Sequence, residues 1–332
     1  MANIDQTTAI GMAAGGPRSV AALLPVVIFG CLAVIPILST FGAETYLLGI
    51  AIRIMIFAIA ALSLDLLVGY GAMTSFGHAA FIGIGAYAVG ILSAHGVSDA
   101  LIALPVALAA SGLFALVSGF ICLRTKGAYF LMITLAFGQM VFFTASSLSI
   151  YGGDDGMTIY DRSTIAGWDI LENDRVLYYL VFLSLLAIYL LCRSIVASRF
   201  GRALRGSKEN PTRMATMGFK VFRFQLTTYV IAGMMAGLAG FLLANATNFV
   251  SPAYMSWQRS GELLIMIILG GTGRLIGAVI GSAVFLILEE WLAGITEHWK
   301  MIFGPLLVLA VLFVPGGLIG ISNRLFGRAE RD

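Results

Sequence analysis

Charged side chains are scarce in this sequence, where Asp, Glu, Lys and Arg together make up 11% of 332 residues. A soluble domain carries about 25% charged residues, so the composition argues against a water-exposed globular protein. Histidine is also rare, at three residues, and Cys31, Cys122 and Cys192 share no spacing typical of a metal site or a disulfide framework. We therefore expect no bound metal, and we interpret the cysteines as small, inert hydrophobic residues.

Two further absences narrow the possible mechanisms. The sequence contains no G-x-x-x-x-G-K-[ST] phosphate-binding loop, so this chain cannot hydrolyse nucleotide by that route. Ionisable residues within the apolar stretches are few: Arg53, Asp65 and His78, with Glu262, Glu289 and Glu290 nearer the ends. This is not the dense relay of acids and histidines expected of an ion-coupled transporter. Arg53 and Asp65 are twelve residues apart, so we expect no direct pair and interpret both as extending toward opposite membrane interfaces, and we expect structural hydrogen bonding at His78. No clustered nucleophile, metal site or carboxylate pair indicates a membrane-embedded enzyme, and we expect no catalytic residue.

Hydrophobic residues, in contrast, make up 59% of the chain, and the mean hydropathy is +0.96. Several apolar stretches reach the roughly 18–20 residues that cross a bilayer as a helix. One further segment, 261–270, is about half that length. The sequence predicts an all-α integral membrane protein, with one membrane domain over residues 1–332. The predicted long spans lie near residues 20–38, 46–68, 78–94, 100–122, 128–147, 176–195, 224–245, 275–292 and 301–320.

The basic residues are concentrated in a few short loops, which argues against nucleic-acid binding and instead predicts topology. Residues 193–223 carry eight Lys or Arg against one acid, and Arg124–Lys126 forms a second basic loop. By the positive-inside rule these loops are cytoplasmic, together with Arg18 and the tail. Both termini then lie inside, which requires an even number of crossings. The prediction is about ten transmembrane segments, at least one of them short or broken, with the polar loop 148–175 outside. The basic tail residues are Arg324, Arg328 and Arg331.

Glycine clusters in two places, residues 69–90 and 270–281, for which two interpretations compete. Small residues four apart let helices approach closely, and Gly233/Gly237 and Gly273/Gly277/Gly281 fit that role. A glycine-rich break at membrane depth can instead line a transport pathway. We favour the second interpretation for 69–78 and 270–274. The candidate pathway residues are Gly69, Gly71, Ser75, Gly77, His78, Gly83, Gly270, Gly271 and Gly273.

Residues 198–220 form the other informative segment. Asn210 is a good helix N-cap, Pro211 suits the first helical position, and Gly218 suits the residue just past the end. The resulting helix of about two turns places Met214 and Met217 on one face. Such a short helix is marginal in water alone. It is therefore either a docking helix held by a partner protein or a solvated basic loop that only fixes topology, and the residues alone do not decide.

Four stretches resemble a known family: Gly69–Gly90, Leu123–Gln139 with the following GGDDG, Phe200–Gly240 and Ser260–Gly281. Their pattern is similar to the inner-membrane permeases of branched-chain amino acid ABC importers, specifically the LivM-like half. The resemblance implies about ten helices, a multi-pass protein of the bacterial inner membrane, and a second homologous permease subunit. It also implies two cytoplasmic ATPase subunits, which bind the ATP and Mg²⁺, and a periplasmic substrate-binding protein. This chain is then expected to bind no cofactor and to contact membrane lipids.

The resemblance also favours the docking interpretation of 198–220 as the segment that receives the ATPase. Glu209, Asn210 and Gly218 match the Glu-Asn…Gly frame of the family, whereas Arg213 and Met214 stand where many relatives carry two alanines. The expected function is ATP-driven import of branched-chain or related amino acids, or small amide or acid analogues, by alternating access. The alternative is an ion-coupled secondary transporter of small polar solutes. The residues expected to couple to the ATPase are Gly201, Arg202, Arg205, Glu209, Asn210, Arg213, Met214, Met217 and Gly218.

Overall fold

The computed structural model describes residues 18–38, 44–160, 162–164, 167–296, 298, 301–305 and 317–318. This part of the chain is almost entirely helical. Two short strands, β1 (Met157–Thr158) and β2 (Phe249–Val250), form a small antiparallel sheet. The helices are α1 (Arg18–Leu38), α2 (Glu44–Gly71), α3 (Ala79–Ala94), α4 (Ala100–Cys122), α5 (Ala128–Ser147), α6 (Asp174–Ala197), α7 (Arg199–Glu209), α8 (Pro211–Thr216), α9 (Val221–Thr247), α10 (Trp257–Gly270) and α11 (Leu275–Ile295).

The centre of the bundle is formed by α2, α3 and α9, which are mostly buried. Glycines bring these helices into backbone contact. A methyl group at Gly85 of α3 would lie 2.1 Å from the carbonyl oxygen of Gly237 in α9, and one at Gly240 would lie 1.9 Å from that of Ile82. Gly233 similarly packs on Ala115 of α4. The packing role predicted for Gly233 and Gly237 is therefore confirmed, because any larger residue would push the helices apart.

Helices α4, α5 and α6 lie at the periphery and expose large apolar side chains. Leu113 is 63% exposed, Met132 61% and Leu183 61%. A soluble protein rarely exposes so many large apolar groups together. These helices are therefore suited to a hydrocarbon environment.

Six of the described helices are long and apolar enough to cross a bilayer. The figure of about ten crossings is not confirmed. Helix α3 has 16 residues and α10 has 14, and the apolar helical part described in α1 covers 24–36. The predicted short segment 261–270 is thus confirmed as short. Most of the predicted span 301–320 lies outside the described residues, as do Arg324, Arg328 and Arg331. The long candidate spans are Tyr46–Gly71, Ala100–Cys122, Ala128–Ser147, Asp174–Ala197, Val221–Thr247 and Leu275–Ile295.

The loops separate into two ends of the bundle. At one end, which we name the polar-loop end, residues 148–173 join the rest of the fold through β1 and β2 and through the bond from Ala100 N to Thr164 O of 2.7 Å. The sequence did not predict this small sheet. At the other end, which we name the basic end, the α4–α5 turn and helices α7 and α8 surround one cavity. The two basic loops therefore share one end, as their charge predicts.

Candidate functional site

The link between α2 and α3 is a break in regular helix, largely buried within the bundle except at Ala72 and Thr74. Helix α2 closes with a bond from Met73 N to Leu67 O of 3.1 Å. Side chains from other helices then satisfy the irregular backbone. Phe76 N donates to Thr134 Oγ1 of α5 at 3.3 Å, and Ala79 N donates to Ser260 Oγ of α10 at 3.0 Å. Irregular backbone is tolerated at membrane depth when protein groups satisfy it in this way.

His78 fixes the depth of this break. Its Nε2 lies 2.7 Å from Ser63 Oγ, and the Ser63 hydroxyl donates to Ala60 O at 2.7 Å. Because that hydroxyl proton is already used, Nε2 is the donor to Ser63. Ser63 is eight residues before Gly71, which corresponds to about 12 Å along the axis of α2. The chain therefore turns back into the bundle before α3 begins, and the predicted structural hydrogen bonding of His78 is confirmed.

The second glycine-rich break joins α10 to α11 and meets the first. Gly273 N donates to Asp65 Oδ1 of α2 at 2.8 Å, and Asp65 is fully buried. A methyl group at Gly69 would lie 2.5 Å from Gly273 N, so the two breaks touch backbone to backbone. Asp65 had been interpreted as a residue that extends to the membrane interface. That prediction is wrong, since its carboxylate holds the α10–α11 turn.

Helix α7 connects the basic end to this junction. Lys208 Nζ donates to the carbonyl oxygen of Gly69 at 2.6 Å. Arg202 and Arg205 donate to Ala197 O and Val196 O, both at 3.1 Å. These carbonyls lie at the C-terminal ends of α2 and α6, where backbone acceptors lack helical partners and cations are favoured. Arg202 and Arg205 thus anchor α7 within the chain, and their predicted contact with an ATPase stays a prediction.

Helix α8 follows with the predicted caps. Asn210 Oδ1 accepts from Arg213 N at 2.9 Å, Pro211 occupies the first turn, and Gly218 has a positive φ of 87°. The methionines differ from the prediction. Met214 packs against Gly206 of α7, whereas Met217 is 64% exposed. The side chains of the segment left exposed beside Met217 include Glu209 and Arg213.

A cavity of about 660 Å³ lies between the first break and helices α7 and α8. Its lining extends from Gly71–Thr74 at the break to Thr212 and Ala215. The last two residues are exposed at the basic end. Lys126 and Lys208 give this cavity a positive lining. The residues beyond its inner end, among them Ser75 and His78, are fully buried. The cavity therefore stops at the break.

The candidate pathway residues fall into two groups. Gly69, Gly71, Gly271 and Gly273 lie at the junction of the breaks or at the cavity. The others are used in packing: Gly77 contacts the backbone of α5 and Gly83 contacts Met255. Gly270 contacts Gly277, and Gly281 contacts Met266, so the packing interpretation holds for the helical glycines of α11. A pathway role for the whole set stays a prediction. The predicted set thus divides between residues at the junction or cavity and residues buried in the α2–α3 break or in helix packing: Gly69, Gly71, Ser75, Gly77, His78, Gly83, Gly270, Gly271 and Gly273.

An ion pair at the middle of the bundle was not predicted from the sequence. Arg259 NH1 and Glu262 Oε2 of α10 lie 2.6 Å apart, with side chains 28% and 24% exposed. The Arg259 guanidinium lies 5.7 Å from the Phe57 ring, and Phe57 is at the middle of α2, about 20 Å from either end. Glu262 had been placed nearer the ends of its span, which is wrong. The i, i+3 spacing of opposite charges in an apolar segment was the available signal.

Arg53 of α2 pairs with two acidic residues of α11. Arg53 lies 3.3 Å from Glu289 and 3.6 Å from Glu290, and it does not pair with Asp65, as predicted. Among the described residues, no three His, Cys, Asp or Glu side chains are grouped to hold a metal ion.

Comparisons with known proteins give the family. A model of the family described as "Branched-chain amino acid transport system / permease component" matches residues 46–312. The chain is 28% identical over 297 residues to the high-affinity branched-chain amino acid transport system permease protein LivM of Salmonella typhimurium, covering 82% of this chain and 70% of the relative. It is 29% identical over 168 residues to the LivH permease protein of Escherichia coli, covering 50% and 53%.

A more distant relative is a probable LivM permease protein of Methanocaldococcus jannaschii, 24% identical over 217 residues, with 59% of this chain and 61% of the relative covered. No solved structure is significantly similar to the chain. The LivM relatives align over more of the chain than the LivH relatives do, which agrees with the LivM-like pattern of its glycine-rich segments. Because the family model spans most of its length, the chain belongs to the permease-component family of branched-chain amino acid transport systems, as a multi-pass membrane permease subunit of an ABC importer rather than an enzyme.

Proposed function

We propose that this chain imports branched-chain or related small amino acids across a bacterial inner membrane by alternating access, powered by ATPase subunits bound at its basic end. The names of the LivM and LivH relatives support the substrate class. The proposed assembly contains a second, homologous permease subunit, two cytoplasmic ATPases that hold ATP and Mg²⁺, and a periplasmic binding protein that delivers the amino acid. The lack of a phosphate-binding loop in this chain supports ATP binding on a partner.

The observation that carries the proposal is the direct contact between the basic segment and the two breaks. Lys208 of α7 holds the Gly69 carbonyl, Gly69 touches Gly273, and Gly273 N is held by Asp65. A displacement of α7 therefore acts on the end of α2 and on the α10–α11 turn at once. Packed contacts of this kind have discrete arrangements, so a small shift at one site moves the other.

The same geometry divides the coupling segment into two functional parts. Arg202 and Arg205 attach α7 to the end of α6, while Glu209, Arg213 and Met217 point outward at the basic end. Exposed methionines suit insertion into a groove of a partner, because the side chain is flexible and apolar. In the proposal the exposed part receives the ATPase and the anchored part transmits its movement to the membrane helices.

The cavity at the basic end corresponds to the cytoplasmic half of the proposed pathway. It ends at the buried Ser75–His78 region, which forms the barrier toward the polar-loop end. Opening the barrier requires α3 and α10 to separate near Ser260, because the hydroxyl of that residue holds the first amide of α3. ATP-driven closure of the ATPases supplies the work, and no step needs a catalytic residue in this chain.

The docking part of the proposal is tested with Glu209→Arg combined with Met217→Arg in the complete importer. Both side chains are exposed, and neither forms a hydrogen bond, ion pair or ring contact with the part of the chain that the structure describes, so the variant chain is expected to fold. We expect the ATPase subunits to be lost from the purified complex and ATP-driven uptake of labelled leucine to fall in proportion. Met214→Arg is less informative, because Met214 packs on Gly206 within the segment.

The matched control is Tyr160→Arg, the same kind of change at a side chain that is 91% exposed at the polar-loop end. Co-purification of the ATPases with this variant should equal that of the unmodified chain. If the Glu209→Arg, Met217→Arg variant also retains its ATPases and its uptake, the segment is not the docking site.

A further inference from the structure

A small cavity lies between α2, α6 and α9 at the polar-loop end of the bundle. Its volume is about 240 Å³, and Leu48, Ile52 and Ile56 of α2 line it at four-residue spacing, so they form one wall. Leu177 of α6 and Leu243 of α9 also line it, and all five side chains are buried. Pockets for drug-sized ligands measure roughly 300–1,000 Å³, so this interior suits a smaller, apolar group.

Three charged side chains line the same cavity: Arg53, Arg162 and Asp174. Asp174 is the first residue of α6, and its side chain is 42% exposed, which places it at the mouth of the cavity. Arg162 of the polar loop lies 2.7 Å from it. Arg53 is compensated from α11 by Glu289 and Glu290, which do not line the cavity. Arg162 and Asp174 therefore present a positive and a negative charge side by side at the mouth.

The guanidinium of Arg162 is bonded to the protein on one side only. Its Nη1 donates to Leu171 O at 3.0 Å, to Glu172 O at 3.1 Å and to Asp174 Oδ1 at 2.7 Å. Its Nε is buried, and no described residue accepts a hydrogen bond from it. A buried donor without an acceptor is unfavourable, and more so when its group is charged. Because a guanidinium presents its donors as a planar fork that matches a carboxylate, the Nε edge of Arg162 is suited to a carboxylate in the cavity.

We infer that this cavity binds the imported amino acid at the polar-loop end, as a zwitterion with an aliphatic side chain. The α-carboxylate accepts from Nε of Arg162, and the α-ammonium donates to the carboxylate of Asp174. The aliphatic side chain lies against the apolar wall formed by α2. This inference rests on the proposed function, because it names where this subunit receives the amino acid that the binding protein delivers. One cavity holds all three features: the unpaired Nε, the opposite charge and the buried apolar wall.

A zwitterion fits this lining better than a simple ion does. A simple anion would be attracted to Arg162 but repelled by Asp174, only 2.7 Å away from that guanidinium, and a simple cation would meet the reverse mismatch. The wall extends to Ile56, about 18 Å along α2 from its first residue, so an aliphatic side chain gains apolar burial there. Binding stays weak, since Arg162 and Asp174 already satisfy each other, and weak binding allows release toward the pathway.

The first test needs no variant. Leucine is titrated by ligand-observed NMR onto the purified importer in nanodiscs, without ATP and without the binding protein. We expect saturable binding with a Kd of about 1 mM or tighter. Isocaproate, which lacks the ammonium group, and isopentylamine, which lacks the carboxylate, should each bind at least about tenfold more weakly, the loss expected for a hydrogen bond to a charged group. The absence of saturable leucine binding up to about 30 mM would overturn the inference.

Asp174→Asn separates a ligand contact from a structural ion pair. The amide oxygen still accepts from Nη1 of Arg162, so the polar loop keeps its anchor, while the negative charge is removed. Leucine should bind at least about tenfold more weakly, and isocaproate should bind no more weakly than before, so the preference for leucine disappears. The control is Glu262→Gln, in the separate pair with Arg259, which should keep the preference. A preference that survives Asp174→Asn contradicts the assigned ammonium contact.

Ala246→Phe fills the cavity from α9 and leaves both charges in place. Leucine binding should be lost, and the leucine transported per ATP by the complete importer should fall severalfold. The control is the same change at Ala109, on the exposed face of α4, which should alter neither quantity. Lost binding with unchanged transport would overturn the inference while the proposed function stands. If the unmodified importer binds leucine but shows no ATP-driven uptake, it is the proposed function that fails.

Discussion

The contact between the two glycine-rich breaks makes Gly69 the position most sensitive to one added methyl group. In a Gly69→Ala chain the new carbon would lie 2.5 Å from Gly273 N and 2.6 Å from Gly273 Cα, where ordinary contact begins near 3.4 Å. The α10–α11 turn must therefore retreat by about 1 Å, which breaks the 2.8 Å bond from Gly273 N to Asp65.

The free-energy cost of Gly69→Ala follows from these contacts. Overpacking costs about 1–3 kcal/mol, and loss of a hydrogen bond to a charged acceptor costs about 1.5–3 kcal/mol. Alanine returns about 0.5–1 kcal/mol of helix propensity. The net destabilisation of the junction is about 1.5–5.5 kcal/mol, which lowers its closed population at least roughly tenfold. We expect a lower melting temperature of the purified complex and reduced ATP-driven leucine uptake.

The matched control is Gly49→Ala in the same helix, where nothing lies within 4 Å of the added methyl group. That variant should melt at or above the temperature of the unmodified complex, since only the propensity gain applies. The two variants are compared by thermal melting, followed by tryptophan fluorescence. Leucine uptake is measured on the same preparations. If Gly69→Ala melts and transports like Gly49→Ala, the two breaks do not form the contact on which the coupling argument depends.

Two further predictions concern other contacts. Lys208→Met keeps the length of the side chain but removes its bond to the Gly69 carbonyl. ATPase co-purification should persist, while the leucine transported per ATP should fall severalfold. An unchanged ratio of leucine to ATP would refute the connection through α7. Gly85→Ala places a methyl group 2.1 Å from the Gly237 carbonyl, which should separate α3 from α9. The melting temperature or the yield of folded protein should therefore fall. Gly30→Ala, where nothing lies within 4 Å of the added methyl group, should change neither quantity.

Helix positions were predictable because long apolar runs and caps are local features of the sequence. The ends of α4, α5 and α8 follow the apolar boundaries and the Asn210-Pro211 start closely. The number of membrane crossings was not predictable in this way. Short helices such as α3 and α10 depend on where the chain turns back into the bundle, and that is decided by contacts far apart in sequence.

The candidate site was predicted in outline only. Glycine clustering marked both breaks, but nothing in the local sequence shows that Gly69 and Gly273, more than 200 residues apart, touch each other. The partners of buried charges were equally hidden. Asp65 and Glu262 look alike in an apolar stretch, yet one holds a backbone amide inside the bundle and the other pairs with Arg259 on an exposed face.

The three basic residues of α7 have a mechanical consequence for the membrane helices. Arg202 and Arg205 hold the end of α6, and Lys208 holds the end of α2. The 11-residue helix α7 is therefore bonded to two neighbouring membrane helices. A push on α7 cannot tilt α2 alone without breaking bonds to α6. We therefore expect α2 and α6 to move together when α7 is displaced.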